Sequence, residues 1–144
     1  MGGTTFTQTV VAPDAATAFS RASEEAAWEY GHGGYTGTIA EKPGYRMLAM
    51  PSGLPEDVTP DDIVTLALEL WSDTPLEIRR SKVDDSKGYK RWVADTPITL
   101  DESFRPAIAA IHDAVDDKWG DAGCFEVTKP EGPKTFLFFG WASC

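Results

Sequence analysis

Basic residues are scarce in this chain, cysteine is nearly absent, and no apolar run is long. Thirteen lysines and arginines face 23 aspartates and glutamates, for a formal net charge of −10. That balance disfavours the phosphate backbone of nucleic acid as the default partner. Two cysteines, Cys124 and Cys144, are too few for a disulfide framework and lack metal-ligand spacing, so a reduced, cytoplasmic setting is expected, with no cofactor and no metal. No stretch approaches the roughly 20 apolar residues of a membrane span. The N-terminal Met1-Gly2-Gly3-Thr4-Thr5 also lacks the basic and apolar regions of a signal peptide, so no membrane partner is expected. Repeats, long linkers and low-complexity tracts are missing too, and 144 residues suit a single domain spanning 1–144.

What the chain does have is aromatic mass: five tryptophans, seven phenylalanines and four tyrosines, large pieces for a core or anchors for an interface. Thr5 to Val11 alternates and is β-branched, which predicts a strand. From Ala15 the spacing Ala15, Phe19, Ala22, Ala26, Tyr30 is helical, and Gly31 suits the residue that ends the helix. Tyr35 to Glu41 and Gly44 to Met50 read as two extended segments around Lys42-Pro43-Gly44, a hairpin signal. Thr59-Pro60-Asp61-Asp62 starts a second helix, continuing through Ile63 to Trp71: threonine caps, proline suits the first turn and the acids favour the positive dipole end.

Leu76 to Val83 and Tyr89 to Ala94 predict a hairpin around Asp84-Asp85-Ser86-Lys87-Gly88. A third helix is expected from near Ser103 to Trp119, with Pro106 in its first turn, Phe104, Ile108, Ile111, Val115 and Trp119 inward, and Gly120 closing it. Cys124 to Thr128 and Thr135 to Trp141 make a last hairpin, whose run Phe136-Leu137-Phe138-Phe139 suits a central strand buried on both faces or one covered by a helix. Together these elements predict an α+β fold, an antiparallel or mixed sheet with about three helices packed mainly on one face.

Two segments are candidate sites. Residues 30–39, Tyr30-Gly31-His32-Gly33-Gly34-Tyr35-Thr36-Gly37-Thr38-Ile39, carry four glycines, a density that implies positive φ angles or a close approach of backbone to something else. A nucleotide loop is disfavoured, because these glycines follow a helix C-terminus and lead into a strand, where the dipole has the wrong sign for phosphate. The structural reading is a helix stop feeding a tightly packed strand. The functional one is a cleft lined by His32, Tyr35 and Thr36, in which the imidazole would titrate near neutral pH.

The second segment is a basic island. Residues 1–73 hold three basic and eleven acidic side chains, whereas 74–95 hold six basic and four acidic. Arg79, Arg80, Lys82, Lys90 and Arg91 interleave there with Tyr89 and Trp92, as in surfaces that stack bases while neutralising phosphate. Alternation instead allows one buried face and one merely solvated, or a patch for an acidic protein. The remaining candidates favour structural roles: His112 and Asp116 share a helix face without a third metal ligand, and Cys124 suits a small core residue better than a nucleophile.

Gly33-Gly34-Tyr35-Thr36-Gly37-Thr38-Ile39-Ala40-Glu41-Lys42, and the tail from Lys118-Trp119-Gly120 through Gly123-Cys124 to Phe138-Phe139-Gly140-Trp141-Ala142-Ser143, resemble small uncharacterised proteins encoded by actinobacterial phages. The resemblance implies a product acting in the host cytoplasm to modify host physiology. It brings no catalytic residues. The expectation is therefore a noncatalytic protein that binds a host protein, with Tyr35, Arg79, Arg80, Lys82, Tyr89, Lys90, Arg91 and Trp92 as contacts; a homo-oligomer is compatible with it. The alternatives are a small enzyme or ligand-binding domain using Gly31–Thr38, or nucleic-acid binding through the 76–94 hairpin.

Overall fold

The computed structural model describes residues 3–30, 36–70 and 74–143. Its centre is a mixed four-stranded sheet of order β1-β8-β7-β2, formed by β1 (Gly3–Val11), β2 (Tyr45–Met47), β7 (Ala122–Glu126) and β8 (Thr135–Ser143). β8 pairs antiparallel with both β1 and β7, and β2 runs parallel to β7. Helices α1 (Ala15–Tyr30), α2 (Pro60–Leu68) and α3 (Arg105–Val115) complete an α+β fold.

The apolar run of β8 explains its central place. Successive side chains point to opposite faces, so Phe136 and Phe138 meet Ala18, Ala22 and Ala26 of α1, while Leu137 and Phe139 meet Ile63 and Val64 of α2 and Ile108, Ile111 and Val115 of α3. The helices thus divide two to one. The expectation of one mainly covered face holds for α2 and α3, whereas α1 covers the other. Alanines every fourth residue let α1 lie close to the sheet, beside a cluster in which the Phe19 ring sits 5.3 Å from Tyr45 and 5.8 Å from Phe138. Gly123 permits a similar approach on the α3 side, because a Cβ there would lie 2.7 Å from the Phe139 ring and 2.8 Å from Val115.

Two expectations from sequence are corrected. Residues 36–50 do not form the expected hairpin: Ile39–Glu41 is a 3-10 turn, and Tyr45–Met47 pairs with β7 instead. Side chains close that turn locally, with Thr36 Oγ1 donating to Glu41 Oε2 at 2.6 Å and Thr38 Oγ1 accepting from the Ala40 amide. Helix α3 ends at Val115, short of Trp119, which is 56% exposed rather than inward. The reason lies in a distant lysine. Lys42 Nζ, buried against this end, donates to the Asp117 and Lys118 carbonyls at 3.2 and 3.3 Å, and Asp117 turns the chain by accepting from the Trp119 amide. Burial holds the Lys42 ammonium below its ordinary pKa, although Asp117 and Asp121 pull the other way.

Candidate functional site

The basic island is a hairpin, β4 (Ser81–Asp84) against β5 (Arg91–Ala94), anchored at its base rather than merged into the main sheet. Below it, β3 (Glu77–Ile78) pairs with β6 (Ile98–Thr99), and the flanking Leu76, Ile78 and Leu100 enter the α2–α3 core. The Asp95 amide donates to the Arg80 carbonyl at 2.8 Å, fixing where the hairpin leaves the body. At the tip Gly88 adopts φ +82°, a left-handed conformation that favours glycine, and the Ser86 amide donates to Asp84 Oδ1 at 2.9 Å.

Register assigns the faces. Val83 lies opposite Trp92 and Ser81 opposite Ala94, so these four share one side; Lys82 with Val93 and Asp84 with Arg91 share the other. The side bearing the tryptophan is the uncovered one, with Trp92 74% and Val83 49% exposed. Neither face is deeply buried, contrary to the simple alternation of one buried and one solvated face. Tyr89, near the tip, is also exposed.

Most of the cations have a carboxylate neighbour within the molecule. Arg91 Nη2 donates to Asp84 Oδ2 at 2.9 Å, Lys82 lies 3.5 Å from Asp95, and Arg79 lies 3.5 Å from Glu77. Arg80 turns away from the hairpin to Asp62 at the start of α2 and to the Asp57 carbonyl. Hydrogen bonds from Ser86, then Arg91, hold the Asp84 carboxyl below its ordinary pKa, and the Thr96 amide does the same for Asp95. Among the described residues, Lys87 and Lys90 at the tip have no ion-pair partner. Sequence reasoning located the segment but missed Val83 as the cross-strand neighbour of Trp92, which the Ser-Lys-Val-Asp alternation could have revealed.

The glycine segment is only partly visible. His32 and Tyr35 lie outside the described residues. Thr36 is occupied by Glu41 and by Thr38, whose Oγ1 is 2.8 Å from its own. Gly37 meets both expectations for its residue type: φ is +71°, and its amide docks on the Ser143 carbonyl at 2.7 Å. The described walls of the adjoining hollow, including Phe6, Gln8, Ala26 and Ile39, contribute one carboxylate, Glu29, and no cysteine.

Cys124 is fully buried, and burial together with Glu126 pushes its thiol up to about 12, too high for a nucleophile at neutral pH. His112 Nδ1 lies 2.7 Å from the Ala67 carbonyl, tying α3 to α2. Among the described residues no three His, Cys, Asp or Glu side chains converge as metal ligands, and no helix is long and apolar enough to cross a membrane. Fold and surface together define the chain as an acidic α+β protein bearing an uncovered aromatic hairpin with a basic tip. Compared with protein-family models, with curated proteins and with solved structures, it matches none.

Proposed function

We propose that this protein is a noncatalytic binder of a host protein, acting in a phage-like setting, and that the Val83–Trp92 face of the β4–β5 hairpin is its contact surface. One observation carries the reading: Trp92 is 74% exposed on a rigidly based hairpin whose opposite face is closed by its own ion pairs. A two-stranded hairpin is marginal in water without a covered face. Tryptophan is enriched, with tyrosine and arginine, among the residues that carry most of the binding energy of protein interfaces. The fitting partner offers an apolar pocket for Trp92 with acids beside it for Lys87 and Lys90. Nucleic acid fits less well, because Arg79, Arg80, Lys82 and Arg91 are already paired with carboxylates.

The test uses the intact protein as bait in an actinobacterial lysate, followed by titration of the purified captured protein against wild type, Trp92→Ala and Lys87→Glu/Lys90→Glu. Loss of about tenfold or more in affinity with Trp92→Ala is expected, corresponding to about 1.4 kcal/mol. Failure to capture any protein, or equal affinity of all three forms, overturns the reading. Salt-sensitive binding to single-stranded DNA that falls with the lysine variant would favour the nucleic-acid alternative instead.

A further inference from the structure

The long edge of the main sheet is open. Main-chain N–H and C=O groups of one strand residue point to the same side, so the bonds already made on β8 fix the direction of every group on β1. The Thr135 carbonyl accepts from Val127 and the Ser143 carbonyl from Gly37, both on the β7 side. The alternate residues Phe136, Phe138, Gly140 and Ala142 therefore face β1, opposite Val10, Gln8, Phe6 and Thr4. Gly3, Thr5, Thr7, Thr9 and Val11 consequently direct their main-chain groups outward. Val11 gives its carbonyl to Arg21 at 3.2 Å, and among the described residues nothing bonds the outward groups of Thr5, Thr7 and Thr9.

Proteins blunt such an edge with charge, proline, a bulge or a short strand. β1 has none of these: it is nine residues long, uncharged, free of proline and continuous in register. The opposite edge, β2, is only three residues long and carries Arg46.

The geometry points to a second copy of this chain as the occupant, through antiparallel β1–β1 pairing about a two-fold axis at Thr7. The outward set is symmetric about that residue, so Thr7 meets Thr7 and Thr5 meets Thr9 as hydrogen-bonded pairs, while Gly3 lies opposite Val11, whose carbonyl Arg21 already holds. The threonine side chains lie on the α2–α3 face and form cross-strand threonine pairs. Although each chain carries a net charge of −10, the strand that would form the seam carries none.

The other face adds a second contact. α1 lies over β1 and β8, where Ala18 and Ala22 pack among Phe6, Val10, Phe136 and Phe138. With strands about 4.8 Å apart, a helix centred between β1 and β8 and its symmetry mate stand about 10 Å apart, which is helix-packing distance. Arg21 and Trp28 are seven residues apart and share a stripe of α1, and Arg21 reaches the open edge. Trp28 is 88% exposed and lies on the flank that the second copy would cover.

Sedimentation of the full chain across about 1–200 µM is expected to show a monomer–dimer equilibrium. Thr7→Pro removes an outward N–H without touching the bonds to β8, and Thr7→Lys places charge at the axis; each should weaken dimerisation about tenfold or more while the circular dichroism stays unchanged. Register is read by Thr7→Cys in a Cys144→Ser background. Paired Cα atoms about 5.5 Å apart permit a disulfide, so mild oxidation should cross-link this variant, whereas Thr9→Cys, whose partner is Thr5, should not. A monomer at every concentration, a dimer indifferent to both Thr7 substitutions, or equal cross-linking of the two cysteine variants overturns the inference. Trp92→Ala should leave the dimer intact, separating this surface from the hairpin.

Discussion

Asp62 holds two neighbours through three donor groups at once. Its Oδ2 accepts from the Thr59 amide at 2.8 Å and from the Thr59 hydroxyl at 3.0 Å, completing a capping box at the start of α2, and the Arg80 guanidinium bonds it from the hairpin side. Burial alone would push its carboxyl up, but the bonds from Arg80 and Thr59 outweigh burial and hold it below the ordinary 3.8. A carboxyl depressed in the folded state contributes stability above its unfolded pKa and loses that contribution as pH falls through the folded value. Asp62→Ala should therefore cost about 1–2 kcal/mol at pH 7 through the lost reciprocal half of the capping box and the lost bond from Arg80. The gap to wild type should shrink progressively below about pH 4. Urea unfolding at pH 7, 4 and 3 checks both statements; a gap constant across that range would contradict them.

At the scale of elements, the β4–β5 hairpin and the β7–β8 hairpin differ in how they are held. β7 and β8 carry Phe125, Leu137 and Phe139 at the centre of the core, whereas β4 and β5 expose Val83 and Trp92. Amides across β4–β5 should exchange with deuterium far faster than those across β7–β8, by about a hundredfold or more, since local opening there exposes little apolar surface. Equal protection of both hairpins would argue against an uncovered face in solution.

Elements with strong local signals were legible from sequence. α1 followed from its alanine spacing, the start of α2 from Thr59-Pro60-Asp61-Asp62, and the pairing of β7 with β8 from the Pro130 to Pro133 turn between apolar runs. Misread elements depend on partners remote in the chain. Tyr45–Met47 takes the free edge of β7, and just past the end of α3 Lys42 holds the Asp117 and Lys118 carbonyls. The hairpin site was legible as a basic segment for the same local reason, but the engagement of Arg80 was not, because its carboxylate partner Asp62 comes from the start of α2.

For the whole molecule, the decisive quantity is a net charge of −10, with basic tip residues at one hairpin and an uncharged strand at one edge. The two proposed associations should then answer salt in opposite directions. Raising ionic strength from about 50 to 500 mM screens repulsion between like-charged copies and should tighten the β1–β1 dimer, while it should weaken partner binding through Lys87 and Lys90. Sedimentation and fluorescence titration at the two salt levels measure each; a common direction would mean that one assignment of surface is wrong.

The pairing of the first strand with the last also has a temporal side. Thr9 sits beside Leu137 and Phe6 beside Gly140, so β1 leaves the ribosome long before β8 exists. At about 5–20 residues per second, that strand spends several seconds or more with both edges hydrogen-bonded only to water. Its hydrogen-bonding groups are then available to another nascent copy on the same messenger before they are available to their own chain.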